Sequence, residues 1–519
     1  MVTEAHEGRA FPGARALAAS AGGAAAILVL LVALSLFLRT RALDVGFWID
    51  EGLSVGIASF PLSEIPGVLR MDGSPPLYYL LLHLWMDVFG TSEPATHALS
   101  VLFALLAVPA ALWAGTTIFG RRVGWLAALL AALNPFLTIY AQETRMYSLV
   151  ILLSILATGA FVNAFVLRRR AYVAVFTALL AVMLYTHNWS LFFTVGTLAA
   201  LAVAARASAE RRALLRDASF AYGAAALVYL PWVPTLVYQA LHTGAPWSNP
   251  PSPLELVGGL STLLAGQGSL VAVVLAGGVG IIRILEGPMT RHRTAILATL
   301  AIAFATLLTG WLVSQFTPAW ANRYLGVLVG PIIIAVAAGL SRAGRLGLVA
   351  LALVVAFWSG YWATDQKSNV AKLERLFGER IRSGDVILST QPEQVPVIAY
   401  YFGYDHEYAS PLGAFPDPRV MDWRDALADL ERATPERTLE PILAGMDVGE
   451  RIALIRPLIR SSGPWSAPWT QLVRERTFQW SNAIAFDERF RRTTEYTPPY
   501  TENAHRPLAL EIYEKTTRG

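Results

Sequence analysis

Residues 21–38 read AGGAAAILVLLVALSLFL, an unbroken apolar run that ends at Arg39, and Trp48-Ile49-Asp50-Glu51 follows soon after it. A run of this length can cross a bilayer as a helix. It lacks a small-x-small cleavage site, so we interpret it as a retained first helix. Two adjacent carboxylates so near a membrane are costly to bury and should face water or a polar cavity. They either belong to a functional site or only end the helix and solvate the loop.

The composition of the chain is that of a membrane protein. Hydrophobic residues make up 55% of the 519 positions, charged residues only 15%, and the mean hydropathy is +0.48. This profile is typical of a polytopic membrane protein and not of a soluble enzyme. The chain has no cysteine, which excludes disulfides, thiolate catalysis and cysteine metal sites. Because no stripe of basic residues is interleaved with aromatic residues, we expect no nucleic-acid partner.

Apolar segments of spanning length recur up to about Trp362, and they predict an all-α polytopic membrane bundle over residues 1–362. Two further apolar stretches, Pro75–Gly90 and Leu254–Ala265, are short and are predicted to be interfacial or re-entrant helices. The eleven predicted spans are 21–38, 94–119, 123–141, 147–167, 171–187, 189–206, 217–238, 269–286, 293–314, 324–341 and 345–362.

Arginine clusters orient this bundle. Because the clusters fall at alternate ends of the predicted helices, they share one side, which basic loops mark as the cytoplasm. The prediction is therefore an N-terminus inside and a C-terminus outside. Beyond the first outer loop, 39–93, the outer face carries only Arg145 and Arg323. Each of these arginines is expected to have an anionic partner. The clusters lie at 121–122, 168–170, 206–216, 283–293 and 342–345.

The last part of the chain, residues 363–519, is more polar than the rest. Short apolar strands at 385–389, 451–455 and 508–513 alternate with helical stretches, which predicts a small α/β domain outside the membrane. This region has no glycine-rich phosphate loop and no cluster that indicates chemistry. We therefore expect the functional site on the outer face of the membrane bundle.

Polar residues of the outer loops are the candidates for that site. Arg145 and Arg323 are predicted to clamp a phosphate, with a structural salt bridge between Glu143 and Arg145 as the alternative. His187 either ligates a metal, transfers a proton or only hydrogen-bonds at a helix end. The candidate catalytic residues are Asp50, Glu51 and Glu143, and the candidate substrate-binding residues are Tyr79, Arg145, Tyr147, His187, Arg323 and Tyr324.

Carboxylates and arginines at the outer leaflet suit transfer from a lipid-linked sugar. A sugar on a polyprenyl phosphate leaves its tail in the membrane and its phosphate at the interface. The acceptor hydroxyl then needs a base, and the departing phosphate needs positive charge. A transporter or flippase of a lipid-linked substrate is the alternative. It predicts polar residues near the midplane, discontinuous helices and a repeat between two halves, whereas the sequence shows neither a repeat nor charges inside the spans.

These residues also give the chain a resemblance to the GT-C superfamily of integral-membrane glycosyltransferases. It is most similar to the bacterial family 39-like branch, which includes protein O-mannosyltransferases and lipid A aminoarabinose transferases. The resemblance runs through roughly residues 21–345. It is carried by Asp50-Glu51, Ser74-Pro-Pro-Leu-Tyr-Tyr79 with Phe89-Gly-x-x-Glu93, Tyr140-x-Gln-Glu-x-Arg-Met-Tyr147, and Arg323-Tyr-Leu with Pro331.

The resemblance implies a GT-C helical bundle and transfer, with inversion, of a hexosyl or pentosyl group from a polyprenyl-phosphate donor. It makes Asp50 the base, Glu143 the acidic residue of the second outer loop, and Arg323 the residue that meets the donor phosphate. The implied acceptor is a protein, lipid or glycan at the outer face of a bacterial cytoplasmic membrane. Metal use varies in the superfamily, and Asp50, Glu143 and His187 are the candidate ligands of a divalent cation. No β-trefoil domain is present, which leaves the sugar and the acceptor open.

Overall fold

The computed structural model describes residues 21–286, 290–358, 366–460, 465–499 and 507–517. Up to Trp358 the described chain is almost entirely helical. The helix Tyr147–Phe161 is buried on all sides and forms the centre of the bundle. The helices of this part are Ala21–Arg39, Ile49–Ala58, Ile65–Asp72, Leu77–Phe89, Glu93–Phe119, Arg121–Leu133, Pro135–Ala141, Tyr147–Phe161, Ala171–Thr186, Ser190–Ala207, Arg211–Tyr229, Val233–His242, Pro253–Leu263, Gln267–Glu286, Arg291–Ser314, Val329–Arg342 and Arg345–Trp358.

The predicted polytopic bundle is confirmed, but the span count differs. Within the described ranges, 8 helices are long and apolar enough to cross a membrane, or 9 if the bent pair Arg121–Leu133 and Pro135–Ala141 is one span. The helix Ala171–Thr186 and the described part of the segment 345–362, Arg345–Trp358, lie in the other two predicted segments and have fewer than 18 residues. The first of them has only 16 residues, because it begins after three arginines and ends before His187. Residues 1–20 and 359–362, on which part of the prediction rests, lie outside the described ranges.

A buried arginine stabilises the bent pair. Pro135 has no N–H, so the carbonyl of Ala131 loses its helical donor and the chain bends there by 49°. Arg39 supplies the missing hydrogen bond at 2.7 Å and also donates to the carbonyl of Ala104 at 3.1 Å. Asn134 caps the second helix by accepting the N–H of Leu137 at 2.8 Å. The bent pair is thereby fixed to its neighbours, and its second helix leads directly into residues 142–146.

The first outer loop is folded into helices. The helix Ile49–Ala58 begins immediately after Trp48, whose N–H donates to the carboxylate of Glu51 at 3.3 Å. This places Asp50 and Glu51 in the first turn, where carboxylates are favoured by the helix dipole. The predicted interfacial stretches are also helical, over Leu77–Phe89 and Pro253–Leu263.

The predicted α/β domain is present after residue 366. Its six strands lie in the order β3-β2-β1-β4-β6-β5. β1 pairs in parallel with β2 and β4, whereas the other neighbours are antiparallel. The strands are β1 Val386–Ser389, β2 Glu407–Ser410, β3 Gly413–Phe415, β4 Arg451–Pro457, β5 Phe490–Tyr496 and β6 Leu508–Lys515, and the helices are Val370–Phe377, Val395–Phe402, Ala426–Arg432, Glu440–Gly445 and Pro468–Ala485.

The α/β domain packs directly on the first outer loop. A Cβ atom at Gly52 would come within 2.5 Å of Val397, so only glycine allows the helix Ile49–Ala58 to approach the domain this closely. The N–H of Trp423 donates to the carbonyl of Met71 at 2.9 Å and joins the same two parts. The domain is therefore held against the helix that carries the paired carboxylates.

Candidate active site

A cavity of about 240 Å³ lies between the predicted first outer loop (39–93), the segments 145–146, 187–189, 244–247 and 319–324, and the α/β domain. The structure brings together on its wall five of the predicted site residues, namely Asp50, Arg145, His187, Arg323 and Tyr324. The other four, Glu51, Glu143, Tyr147 and Tyr79, lie behind these residues and are not part of the wall.

Asp50 is the carboxylate of the first helical turn that faces the cavity. Its Oδ2 atom lies 3.4 Å from Nη2 of Arg323, and the Asp50 side chain is 17% exposed. This oxygen is itself buried and accepts no hydrogen bond from the described residues. Arg323 lies over the ring of Trp48, with 5.6 Å between the guanidinium carbon and the ring centre. Asp50 is thus held by charge and keeps capacity for a hydrogen bond or a proton.

Arg145 reaches the cavity from residues 142–146. Its Nη1 donates to Oγ of Ser54 at 2.9 Å, to the hydroxyl of Tyr79 at 3.3 Å and to the backbone carbonyl of Asp50 at 3.2 Å. Its Nε, like that of Arg323, has no hydrogen-bond partner among the described residues. The side chains of Arg145 and Arg323 line the same cavity as Asp50, an arrangement of charge that suits a phosphate.

The rings of Tyr147, His187 and Tyr324 contact one another close to Asp50, Arg145 and Arg323. The ring of Tyr147 lies 5.9 Å from that of His187, and the ring of His187 lies 5.0 Å from that of Tyr324. His187 accepts the N–H of Trp189 at its Nδ1 atom (3.1 Å). A neutral imidazole with an accepting Nδ1 carries its proton on Nε2, so His187 is a hydrogen-bond donor at that atom.

Glu51 points away from the cavity into a buried network. Nζ of Lys367 lies 2.8 Å from both of its oxygens, and Nε2 of His97 lies 2.6 Å from Oε1. The N–H of Thr144 donates to the same oxygen at 2.8 Å. Burial raises the pKa of Glu51, but the charges of Lys367 and His97 outweigh that effect and hold the pKa well below its usual range. Glu51 is therefore an ionised and fully bonded carboxylate.

Glu143 is also buried, without such partners. Its Oε2 atom has no hydrogen bond within the described residues, and its carbonyl accepts from Oγ of Ser100 at 2.6 Å. Burial raises the pKa of Glu143, Lys367 opposes this, and the nearby charges of Glu51 and Asp50 reinforce it. No salt bridge joins Glu143 to Arg145 in the described structure, although that pair was the alternative predicted for this loop.

Solved structures with a similar architecture are known, although no sequence match was found. No protein-family model and no curated protein matches the sequence. Among solved structures, the chain is similar to ArnT from Cupriavidus metallidurans, in the apo state and bound to undecaprenyl phosphate (TM-score 0.61, 12% identity, 95% of this chain and 98% of that chain). It is also similar to the Archaeoglobus fulgidus oligosaccharyltransferase solved with Zn and sulfate (0.52, 14%, 83% and 68%). A third is arabinofuranosyltransferase AftD from Mycobacteria (0.53, 14%, 94% and 40%).

The chain has the GT-C fold. The resemblance inferred from the short motifs is thereby confirmed at the level of the fold. The match to ArnT extends through the α/β domain, because it covers 95% of this chain. The motifs alone reached only to about residue 345.

In this GT-C fold the cavity includes residues that the sequence analysis did not select. Asp72, Asn188 and Trp247 line it from the outer loops, and Trp423 and Thr470 line it from the α/β domain. Asp72 lies two residues before the Ser74–Tyr79 motif, and Asn188 directly follows His187. The α/β-domain residues carry no local signal, since only the fold brings them to the cavity.

The candidate metal ligands do not fit a cation in this cavity. Asp50 faces the guanidinium of Arg323, Glu143 is not on the wall, and Nδ1 of His187 is already hydrogen-bonded. Within the described residues no group of three or more histidines and carboxylates is placed to hold a metal ion. The predicted divalent cation is therefore not assigned to Asp50, Glu143 and His187, and no step below depends on a metal.

Proposed function

We propose that this protein is an integral-membrane glycosyltransferase that moves a sugar from a polyprenyl-phosphate donor to an acceptor hydroxyl. The observation that carries the proposal is the cavity itself. There the carboxylate of Asp50, 3.4 Å from Arg323, lines the same cavity as the two arginines Arg145 and Arg323. Related structures bound to undecaprenyl phosphate and to a dolichol-phosphate support a lipid-linked donor.

The proposed reaction is direct displacement with inversion, as the resemblance to the GT-C superfamily implies. Asp50 takes the proton of the acceptor hydroxyl as that oxygen attacks the anomeric carbon of the sugar. The bond from the anomeric carbon to the phosphate oxygen breaks on the opposite face, and its electron pair stays on the phosphate. Arg145 and Arg323 stabilise this departing charge, and their effect is strong because both side chains are mostly buried.

The other residues of the cavity wall suit a ligand with several hydroxyl groups. Asn188 donates through Nδ2 to the carbonyl of Gly73 at 3.0 Å, which leaves its buried Oδ1 without a donor among the described residues. Asp72 adds a second acceptor, and the rings of Trp247 and Trp423 stand 5.2 Å apart beside it. Acceptors next to aromatic faces match the hydroxyl groups and the apolar face of a sugar. The mannosyl, other hexosyl and pentosyl groups all satisfy this description.

Transfer by the purified protein tests the proposal. The protein is incubated with polyprenyl phosphates that carry radiolabelled hexoses or pentoses, together with a membrane extract that supplies protein, lipid and glycan acceptors. We expect label to leave one donor and to appear covalently on an acceptor. If the protein in vesicles moves the intact donor across the bilayer and no label is transferred, the protein is a transporter and the proposal is wrong.

The proposed reaction also requires the cavity to face the outside of a bacterial cytoplasmic membrane. Because the natural chain has no cysteine, single cysteines in place of Arg121 and of Tyr404 report the two sides. We expect an impermeant thiol reagent to label position 404 in intact spheroplasts and position 121 only after lysis. The reverse pattern would place the α/β domain and Asp50 in the cytoplasm and contradict the proposed site.

A further inference from the structure

The buried carboxylate of Glu51 is saturated with hydrogen bonds. It accepts from Lys367, His97, Thr144 and Trp48 at distances between 2.6 and 3.3 Å. A carboxylate offers about four acceptor positions, so none remains for a substrate or for a transferred proton. The side chain is 0% exposed. Its contribution to a reaction must therefore pass through the groups it holds.

These groups come from four separate parts of the chain. Trp48 precedes the helix of Asp50, His97 stands on the long helix Glu93–Phe119, and Thr144 lies beside Arg145. Lys367 comes from the start of the α/β domain, and its Nζ also donates to the carbonyl of Gln142 at 2.6 Å. One ammonium group thus bonds both Glu51 and the segment that carries Arg145.

We propose that Lys367 is a positioning residue that sets the distance between Asp50 and Arg145 by holding Glu51 and residues 142–144 together. The α/β domain then completes the active site through this lysine as well as through its residues on the cavity wall. The role rests on the proposed function only for its effect on turnover. The coupling between Lys367 and Glu51 is a property of the fold and is measurable without a substrate.

The charges around Glu51 make the coupling between Lys367 and Glu51 measurable as a change in stability. The groups that interact with Glu51 are Lys367, His97, Glu143 and Tyr78. Without Lys367, Glu51 keeps only one cationic partner in this space, His97. Removal of one member of a buried ion pair is strongly destabilising, because the other charge is left uncompensated. Removal of both charges avoids that penalty.

The pH dependence of stability follows from the opposing effects of burial and of nearby charges on Glu51. Burial is the largest influence on the pKa of Glu51 and raises it, and Lys367 is the largest opposing charge, so we expect the loss of Lys367 to shift this pKa upward. A group whose pKa is raised by folding stabilises the protein at low pH and loses that contribution as the pH rises through the folded value. The Lys367→Met variant should therefore lose stability and turnover as the pH increases.

The experiment compares full-length Lys367→Met, Glu51→Gln and the double variant with the natural protein in detergent. Lys372→Met is the matched control, because Lys372 belongs to the same domain and lies near the ring of Tyr496. Unfolding temperature and turnover are measured from pH 5.5 to 8.5. We expect Lys367→Met to have roughly tenfold lower turnover at neutral pH, since small displacements of reacting groups are costly. Its unfolding temperature should fall with rising pH.

The double variant tests whether Lys367 acts through Glu51. If Lys367 acts through Glu51, the double variant is less sensitive to pH than Lys367→Met and recovers stability and part of the turnover. Additive losses in the double variant, or a Lys367→Met variant that behaves like Lys372→Met, would overturn the proposal. If the natural protein transfers no sugar, the proposed function fails, whereas the pH-dependent unfolding still tests the coupling.

Discussion

Replacement of Asp50 by Asn is expected to lower turnover by about 10²–10⁴-fold, the usual range for loss of a general base. The amide keeps the size of the side chain but has neither the charge nor the basicity of the carboxylate. Because Asp50 is bonded to the rest of the site mainly through Arg323, 3.4 Å away, the fold should tolerate the change. Single-turnover kinetics with bound donor separate this loss from any change in donor affinity.

Two controls make the Asp50 result specific. Asp87→Asn removes a carboxylate that is 65% exposed on the helix Leu77–Phe89, and it should leave turnover unchanged. Glu51→Gln should act on stability and positioning instead of on the proton transfer itself. If Asp50→Asn keeps near-normal turnover while Glu143→Gln abolishes it, the base is Glu143 and the assignment above is wrong.

The sequence was sufficient for the features that depend on local composition. Long apolar runs predict helices wherever they occur, because a bilayer accepts no unpaired backbone groups. The carboxylates after the first helix and the isolated Arg145 and Arg323 were conspicuous because charge is rare on that side. The structure brings Asp50, Arg145 and Arg323 to one cavity, although they lie far apart in the chain.

The sequence could not predict which way a side chain points or which residues far apart in the chain contact each other. Asp50 and Glu51 are neighbours, and only the phase of the helix Ile49–Ala58 decides which one faces the cavity. The partner of Glu51 is Lys367, which lies 316 positions later in a domain that showed no motif. Trp423 and Thr470 reach the cavity for the same reason, because packing of the α/β domain on the first loop places them there. Local patterns carry no information about such contacts.

The span count shows a different limit. The segment 171–187 is apolar enough to be predicted as a span, and its helix, Ala171–Thr186, agrees with the prediction to one residue but has only 16 residues. Hydropathy alone does not establish that a helix of this length crosses a membrane. The helix ends just before His187, which lines the cavity.

Replacement of Arg323 by Ala is expected to weaken donor binding by roughly ten- to a hundredfold, the effect of losing one desolvated charge-assisted contact of about 1.5–3 kcal/mol. Lys at this position should restore only part of the affinity, because it lacks the planar fork that binds two phosphate oxygens. Binding of a polyprenyl phosphate without a sugar measures the phosphate contact alone. Arg70→Ala is the control, since Arg70 is also in the outer loops but stacks on Tyr238 at 4.3 Å and does not line the cavity.

Arg145→Ala should weaken the same binding but for two reasons. Its guanidinium is expected to contact the phosphate, and it also holds Ser54, Tyr79 and the carbonyl of Asp50 in place. We therefore expect Arg145→Ala to reduce both donor affinity and turnover of bound donor, whereas Arg323→Ala reduces mainly affinity. Donor titrations followed by single-turnover measurements distinguish the two patterns. Normal affinity for the sugar-free polyprenyl phosphate in both alanine variants would show that the two arginines do not form the phosphate site.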